Sequence, residues 1–392
     1  MNIVEPLRAL LAPESSPELW ALPIGRGKWR VLFARGERPL LLPAVDYHVQ
    51  QRCLAHFIPG GVKGACARAL LAAHAAAPKL GLLPEFRIEG GPHGFLSGRL
   101  TLGRPVYSAV QIGTPGPFRK ATVLLVSAEG ESLVQAKIAM VPGADRQIRQ
   151  EAGWLRELEI ARELENQIPR LLAEDSAPSG RRYLVTTLAS ASASTREFTA
   201  AHLAFLAALG RVRRDVMSFS TSPCRQSLAA MLAGIEPHLV PAERSVLRAA
   251  LSDCGLLLGD WMGPFVVGHG DFVPWNIRVH GDRIYVFDWE YARSGANPLA
   301  DAFNFRVMQR AMGRRALDAA FLADTIRRVH RAADLIYPDF AWRRRAISGL
   351  GLAYLLEVLL HYTAASRALV RTHPVVAAYL RLMEERATWT AT

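Results

Sequence analysis

Apolar residues follow two different spacings along the chain, and the change comes near its middle. Between residues 106 and 188 they form short runs or alternate with polar residues, so that Leu133, Gln135 and Lys137 share one strand face. From Glu197 onward they recur at helical spacing over long stretches. The pattern predicts a small antiparallel sheet followed by a mainly helical region, which is an α+β fold class.

Turn residues and caps divide these two regions into elements. The sheet region is expected to contain four strands, over residues 106–112, 121–127, 132–140 and 182–188. The same reasoning predicts helices over residues 144–165, 197–212 and 243–261. The second helix would be opened by the capping box that runs from Ser194 to Glu197.

Residues 1–100 precede this pattern and contain elements of their own. Strands are expected over residues 29–34 and 39–43, and a helix over 62–77. The glycine pair before Lys63 does not continue into G-x-x-x-x-G-K-[ST], which excludes a phosphate-binding P-loop. We expect this additional N-terminal α/β region to have a structural or docking role and to offer a surface for a protein partner.

The most specific polar pattern is His269-Gly270-Asp271, followed by Asn276 and then by a second acid, Asp288. Phosphoryl transfer needs one carboxylate to orient the attacking hydroxyl, and an amide and a second carboxylate to hold Mg²⁺. Magnesium prefers such oxygen ligands. The spacing therefore predicts a phosphoryl-transfer site.

Short apolar strands are expected on both sides of this motif, over residues 265–267 and 284–287, with a turn at 280–282. Asp271 would lie in the loop after the first strand. Asp288 would lie at the end of the second strand.

These residues resemble the catalytic and metal-binding loops of the aminoglycoside phosphotransferase and choline kinase superfamily. The resemblance implies a protein-kinase-like two-lobe fold, with an N-lobe over residues 101–188 and a helical C-lobe over 189–392. It also implies ATP and Mg²⁺ as cofactors and the hydroxyl of a small molecule as the acceptor. Asp271 would be the catalytic base, and Asn276 and Asp288 the metal ligands. His269 and Asp301 would support the loop structurally.

Lys137 lies on an expected strand within Ala-Lys-Ile, and it is the last lysine of the chain. It resembles the strand lysine that holds the α- and β-phosphates of ATP. The resemblance pairs this lysine with a glutamate of the following helix. We favour Glu151 because it precedes an apolar stripe, while Glu157 and Glu159 remain competitors.

The glycine-rich loop is the least regular part of the pattern. Gly113 and Gly116 are the candidates for phosphate contact, but Pro115 and Pro117 accompany them. Proline has no N–H to donate, so fewer backbone amides could contact phosphate. A hairpin turn and a phosphate-binding loop are both compatible with this segment.

Charge and cysteine content exclude some classes of protein. The net charge is +12, yet arginine supplies 42 of the 47 basic residues, and these are spread along the chain. We therefore expect no nucleic-acid binding. The most apolar stretch, residues 347–366, contains Glu357 and His361, so a buried helix is expected rather than a membrane span. Four cysteines without a CxxC pair indicate reduced thiols in a cytoplasmic protein.

The sequence gives weaker evidence for the chemical class of the acceptor. Residues 292–392 contain eight acids and 15 arginines, which argues against a polycationic acceptor such as an aminoglycoside. Aromatic residues could form a cage for a choline-like cation, but core packing explains them equally well. Glu357 and His361, four residues apart, either line a pocket or bond each other. A sugar or sugar derivative fits the arginine excess best.

Three alternative functions have some support in the sequence. A catalytically inactive kinase fold that binds nucleotide or serves as a scaffold is the main alternative, although Lys137, Asp271, Asn276 and Asp288 are all retained. A protein kinase would need a longer segment between Asp288 and Pro298 and an A-P-E motif, which the sequence lacks there. A nucleic-acid-binding protein rests on net charge alone.

Overall fold

The computed structural model describes residues 27–33, 38–58, 61–83, 85–88, 106–177, 180–189, 194–313, 315–366 and 373–390. The chain forms two compact units. The first contains Met1–Glu157 and Pro169–Ala193, and the second contains Leu158–Ile168 and Ser194–Thr392. The expected region borders at residues 100 and 188 stay predictions.

An antiparallel sheet organises the first unit. Its strands are β1 (Gly27–Leu32), β2 (Leu40–Pro43), β3 (Glu85–Ile88), β4 (Val106–Ile112), β5 (Lys120–Ser127), β6 (Ser132–Ala139), β7 (Leu171–Ser176) and β8 (Arg182–Thr186). Within the described residues their order is β3-β1-β2-β4-β5-β6-β8-β7. The N-terminal strands join the others where β2 pairs with β4, with Leu41 opposite Val110.

In the described part of the first unit, three helices accompany this sheet: α1 (Tyr47–Phe57), α2 (Gly61–Ala76) and α3 (Pro142–Leu158). The apolar run in β2 is buried on both sides of the sheet, since Leu41 belongs to one core cluster while Leu40 and Leu42 belong to another. The second cluster includes apolar residues of α1 and α2, among them Val49 and Leu71. The expected helix over 62–77 is thus α2, and it covers one face of the sheet.

The helix expected over 144–165 is shorter than predicted. It ends at Leu158, and a single 3-10 turn follows at Arg162–Leu164. Ile160 is 83% exposed, so the apolar stripe of the helix does not extend that far. After this turn the chain runs beside β12, another segment of the second unit. There the Val286 N–H donates to the Gln167 carbonyl at 2.8 Å.

The second unit is mainly helical. Its helices are α4 (Ala200–Val212), α5 (Pro223–Ile235), α6 (Pro241–Leu258), α7 (Ala300–Met312), α8 (Ala319–Ile336), α9 (Arg344–Ser366), α10 (Pro374–Glu384) and α11 (Arg386–Thr390). Its strands are β9 (Arg214–Ser218), β10 (Met262–Gly268), β11 (Ile277–His280), β12 (Arg283–Val286) and β13 (Arg293–Ala296). In the part that the structure describes, β10 pairs with β9 and β13, and β11 pairs with β12.

Helix α9 lies at the centre of this unit and packs against α5, α6, α7, α8, α10 and α11. Among the described residues it is the one helix long and apolar enough to cross a membrane, and 78% of its most apolar window is buried in the protein. Buried core helices have the same length and composition.

The fold class predicted from the sequence is confirmed: an antiparallel sheet is followed by a helical region. One predicted helix start is wrong. Helix α4 begins at Ala200, because Thr199, not Ser194, precedes its first turn and its N–H donates to His202 Nδ1 at 3.1 Å. The N–H of Glu197 donates to the Thr195 hydroxyl at 3.0 Å in a local turn instead.

Candidate functional site

The loop after β10 begins with a tight turn that requires glycine. Gly270 has a φ of +81°, and a Cβ there would lie 2.5 Å from the Tyr291 carbonyl oxygen. Both the backbone conformation and the available space therefore exclude a side chain. The turn brings the next residue, Asp271, to the end of the buried strand.

Asp301, in the first turn of α7, holds this loop. Its two carboxylate oxygens accept the backbone N–H groups of His269 and Gly270, at 2.7 and 3.0 Å. Hydrogen bonds to a charged acceptor are stronger than those between neutral groups. The expected structural role of Asp301 is what this geometry supports.

His269 is buried and contributes to the same turn. Its Nδ1 accepts the Asp271 N–H at 3.2 Å, so Nε2 carries the proton and donates to the Phe287 carbonyl at 3.1 Å. The ring also packs edge-on against Trp289, with centroids 4.6 Å apart. His269 therefore joins the loop after β10 to the end of strand β12, which is the structural role expected from the sequence.

Asp271 and Asn276 face each other across the loop. Asn276 Nδ2 donates to Asp271 Oδ2 at 2.8 Å and to the Asp271 carbonyl at 3.1 Å. This arrangement leaves the Asn276 amide oxygen as the side that can ligate a cation. These two hydrogen bonds close the five-residue loop and place the side-chain amide of Asn276 next to the carboxylate of Asp271.

The pKa of Asp271 is raised to about 7. Burial is the largest cause, followed by the negative charge of Asp288, and Asp301 adds a smaller effect. The side-chain amides of Asn276 and Asn304 act in the opposite direction and lower this pKa. The carboxyl group of Asp271 therefore belongs to a local cluster of negative charge.

Asp288 follows β12 and adopts the left-handed conformation, with a φ of +76°. The Phe287 N–H donates to the Asn276 carbonyl at 3.1 Å, which ties the loop of Asn276 to the residue just before Asp288. The sequence missed the strand β11, which begins directly after Asn276 and pairs with β12. This hairpin is what brings the backbone of Asn276 close to that of Asp288.

Both predicted metal ligands, Asn276 and Asp288, would bind a metal ion through an oxygen atom. An amide oxygen and a carboxylate match the preference of Mg²⁺, and the charge of Asp288 already acts on Asp271. The residues present therefore fit a hard divalent cation.

Lys137 and Glu151 form an ion pair within the first unit. Lys137 Nζ donates to both carboxylate oxygens of Glu151, each at 2.7 Å. Lys137 lies on β6 opposite Leu184 of β8, and Glu151 lies on the buried stripe of α3. Its competitors differ: Glu159 is exposed and Glu157 half-buried. The structure thus selects the glutamate that the sequence favoured.

Gly113 and Gly116 lie in the connection between β4 and β5. The Gly113 N–H donates to the Lys120 carbonyl at 2.8 Å, and Arg119 Nε donates to the Gly113 carbonyl at 3.1 Å. A Cβ at Gly113 would meet that Lys120 oxygen at 2.7 Å. The Gly113 amide thus closes the hairpin, and its contact with phosphate stays a prediction.

The structure places the predicted site residues in two groups. Lys137, Glu151 and the two glycines belong to the first unit, and Asp271, Asn276 and Asp288 belong to the second. Within each unit the expected partners are adjacent.

A family model described as the phosphotransferase enzyme family matches residues 120–347. The chain belongs to this family. The matched segment contains Lys137, Glu151, Asp271, Asn276 and Asp288, whereas Gly113 and Gly116 precede it. No curated protein matches the chain by sequence.

Two solved structures of one phosphotransferase show the same fold. A thermostable mutant of aminoglycoside phosphotransferase APH(4)-Ia, in its apo form, is 14% identical, with a TM-score of 0.50 over 74% of this chain and 97% of that one. A further point variant of that mutant, in a ternary complex with AMP-PNP and hygromycin B, is also 14% identical, with a TM-score of 0.51 over 76% and 98%. At this identity the likeness concerns the fold alone.

For this member of the phosphotransferase family, sequence reasoning missed a chain of three hydrogen-bonded, buried residues in the second unit. Asn304, Tyr354 and Tyr379 are joined by hydrogen bonds of 3.0 Å and 2.8 Å. One signal was available, because Asn304 follows Asp301 by three residues and so shares its helix face. The two tyrosines lie far along the chain, and only the packing of α9 and α10 reveals them.

Glu357 and His361, which were expected either to line a pocket or to bond each other, each contact another residue. Glu357 forms an ion pair with Arg293 of β13. His361 packs edge-on against the ring of Tyr291, with centroids 5.2 Å apart. Burial raises the pKa of Glu357, while the charge of Arg293 opposes that rise. The acid of α9 is therefore matched by an arginine.

Proposed function

We propose that this phosphotransferase transfers the γ-phosphoryl group of MgATP to a hydroxyl group of a small molecule. The observation that carries the proposal is the position of Asp271, which Asn276 holds at 2.8 Å beside the charge of Asp288. A carboxylate, an amide and a second carboxylate at this spacing form the set that phosphoryl transfer requires.

Two residues of the first unit support nucleotide binding. Lys137 is almost fully buried, and Glu151 fixes its ammonium group with two hydrogen bonds. A lysine held in this way can place its charge against the α- and β-phosphates of a nucleotide. ATP would supply the phosphoryl group to be transferred.

Asn276 and Asp288 would hold Mg²⁺ through oxygen atoms. The ion would neutralise charge on the phosphates. The protein's own contribution is to fix these two ligands by the β11–β12 hairpin and by the hydrogen bond from Phe287 to Asn276. Pre-organised ligands of this kind need little rearrangement when the reaction occurs.

Asp271 would accept a hydrogen bond from the acceptor hydroxyl and take up its proton. Its backbone is held by His269 and its carboxylate by Asn276, so that the group is fixed before the acceptor binds. Positioning of this kind supplies much of the rate in phosphoryl transfer.

A sugar or sugar derivative, neutral or anionic, is our proposal for the acceptor class. Two observations support it: the arginine excess in residues 292–392, and the pairing of the buried Glu357 with Arg293. A polycationic acceptor would need unmatched acids in that region. Hygromycin B is bound by the structural neighbour named above, and we do not carry this ligand over to the present chain.

The test is MgATP consumption by the purified protein with sugars, amino alcohols and aminoglycosides as separate acceptors. We expect turnover with one acceptor class and a loss of about 10²–10⁴-fold in Asp271→Asn, the span for a general base. Asp282→Asn is the matched control, because Asp282 is exposed in the turn between β11 and β12. Equal turnover in wild type and Asp271→Asn would contradict the role of Asp271.

A further inference from the structure

Asn304 lies on α7, one turn after Asp301, and is only 3% exposed. Residues three apart share a helix face, so both face the catalytic loop. Asp301 accepts the backbone N–H groups of that loop, and the amide of Asn304 lies beside the side chain of Asp271.

The orientation of the Asn304 amide is fixed by Tyr354 of α9. The Tyr354 hydroxyl donates to Asn304 Oδ1 at 3.0 Å. The Tyr354 ring stacks on Phe303, with centroids 5.8 Å apart and an angle of 13° between the planes. Helix α9 approaches this closely because of Gly351, where a Cβ would lie 3.0 Å from the Phe303 ring.

Tyr379 of α10 completes the chain of hydrogen bonds. Its hydroxyl lies 2.8 Å from that of Tyr354, and both residues are at most 2% exposed. Asn304 Oδ1 accepts from Tyr354, so the NH₂ group of Asn304 is the end that is left to face Asp271. Tyr354 donates to Asn304, and Tyr379 therefore donates to Tyr354. Donors that point in one direction polarise one another.

Asn304 Nδ2 has no hydrogen-bond partner within 3.5 Å among the described residues. A buried donor without a partner is costly, so a partner that arrives with the ligand would be favoured. A hydroxyl group fits such a position, since it can accept from Nδ2 while it donates to the carboxylate of Asp271. An ammonium group has no lone pair and cannot accept.

We propose that Asn304 binds the acceptor: its Nδ2 donates to the oxygen of the hydroxyl group that donates to Asp271, and Tyr354 and Tyr379 are positioning residues for this amide. The inference rests on the proposed function and deepens it. It predicts that the site selects a neutral hydroxyl over a protonated amine at the reacting position.

Water is a suitable probe, because it is the smallest hydroxyl acceptor and requires no knowledge of the substrate. We would measure phosphate release from MgATP without added acceptor, for wild type, Asn304→Leu, Tyr354→Phe and Asp271→Asn. Tyr337→Phe is the matched control: Tyr337 is similarly buried, but its hydroxyl donates to the Pro298 carbonyl at 3.3 Å.

We expect kcat to fall about 10–100-fold in Asn304→Leu and about 3–10-fold in Tyr354→Phe, the range for one lost hydrogen bond. The KM for MgATP should not change, because the amide acts only on the acceptor. Tyr337→Phe should lose similar thermal stability and keep wild-type kcat, which separates positioning from folding.

Two results would overturn the inference in distinguishable ways. Wild-type kcat in both Asn304→Leu and Tyr354→Phe, with Asp271→Asn inactive, would contradict the role of Asn304 while the proposed function stands. Phosphate release that does not depend on Asp271, or none with water or any acceptor, would contradict the proposed function and this inference with it.

Discussion

Lys137 and Glu151 form a buried, bidentate ion pair, in which the ammonium nitrogen lies 2.7 Å from each carboxylate oxygen. Lys137 is 8% exposed and Glu151 is 2% exposed. In such surroundings the loss of one partner leaves an unmatched charge in the protein interior. The pair is therefore expected to affect stability as well as the proposed nucleotide binding.

Replacing only one member of this pair should destabilise the first unit. We expect Lys137→Met or Glu151→Gln to lower the free energy of unfolding, by up to about 3–5 kcal/mol for the change that leaves a charge buried. The double variant Lys137→Met/Glu151→Leu should recover much of that stability but none of the turnover. Urea denaturation and MgATP turnover measure the two effects.

The exposed pair of Arg211 and Glu163, also 2.7 Å apart, provides the control. Its disruption should change stability by less than about 1 kcal/mol. Recovery of turnover in the double variant would contradict the assignment of Lys137 to the nucleotide.

Asp301 should be essential to the shape of the catalytic loop. Asp301→Asn presents an NH₂ group to one of the two backbone N–H groups that the carboxylate now accepts. We expect a loss of about 1.5–3 kcal/mol for a hydrogen bond to a charged group. Hydrogen exchange at the amides of His269 and Gly270 should accelerate, and turnover should fall.

Asp318→Asn is a useful comparison, because Asp318 caps α8 by accepting the Phe321 N–H at 2.8 Å. Asparagine is an equally good cap. This variant should keep both stability and turnover. Unchanged exchange at His269 and Gly270 in Asp301→Asn would show that Asp301 does not hold the loop.

Gly270→Ala should abolish the turn before Asp271. Its Cβ would lie 2.5 Å from the Tyr291 oxygen, in addition to the left-handed backbone strain. Gly281→Ala separates the two effects, because Gly281 also has a positive φ, +59°, but has nothing within 4 Å of a Cβ. We expect the second variant to lose about 1–2 kcal/mol at most and to keep its turnover. Equal turnover in the two variants would be evidence against a tight turn at Gly270.

His202 should make the second unit sensitive to acid. It is buried among the rings of Phe198, Phe272 and Phe305, and burial lowers its pKa to about 4 from 6.5. The unfolded chain therefore binds a proton at higher pH than the native protein does. This contribution to stability is fully present above pH 6.5 and is lost as the pH falls toward 4.

This lowering of the His202 pKa corresponds to at most about 3 kcal/mol in the free energy of unfolding. His202→Gln should flatten the pH dependence of the unfolding free energy between pH 4 and pH 6.5, measured by denaturant titration. A dependence as steep as that of the wild type would mean that another group accounts for it.

Local sequence patterns were sufficient for the parts of the site that are close along the chain. The spacing from His269 to Asn276 and the strand position of Lys137 predicted their surroundings, because neighbouring residues determine a turn or a strand face. Glu151 was favoured over its competitors because the apolar stripe of α3 shows which helix face is buried.

Residues that depend on distant packing were not predictable in this way. Tyr354 and Tyr379 lie 50 and 75 residues after Asn304, and their aromatic rings look like ordinary core residues in the sequence. Strand β11 is only four residues long, and its pattern is too short to separate from a loop. The end of α3 was misplaced because the contact between Gln167 and Val286 joins segments far apart in sequence.

Phosphoryl transfer that depends on Asp271 is the property that decides the function of this protein. The most direct test is ³¹P NMR of wild-type protein, Asp271→Asn and Asp282→Asn with MgATP and each acceptor that supports turnover. We predict one phosphorylated hydroxyl product for each ADP formed with wild type and Asp282→Asn, and none with Asp271→Asn. Nucleotide binding by the wild type without any phosphorylated product across the acceptor panel would contradict the claim and would indicate an inactive nucleotide-binding protein.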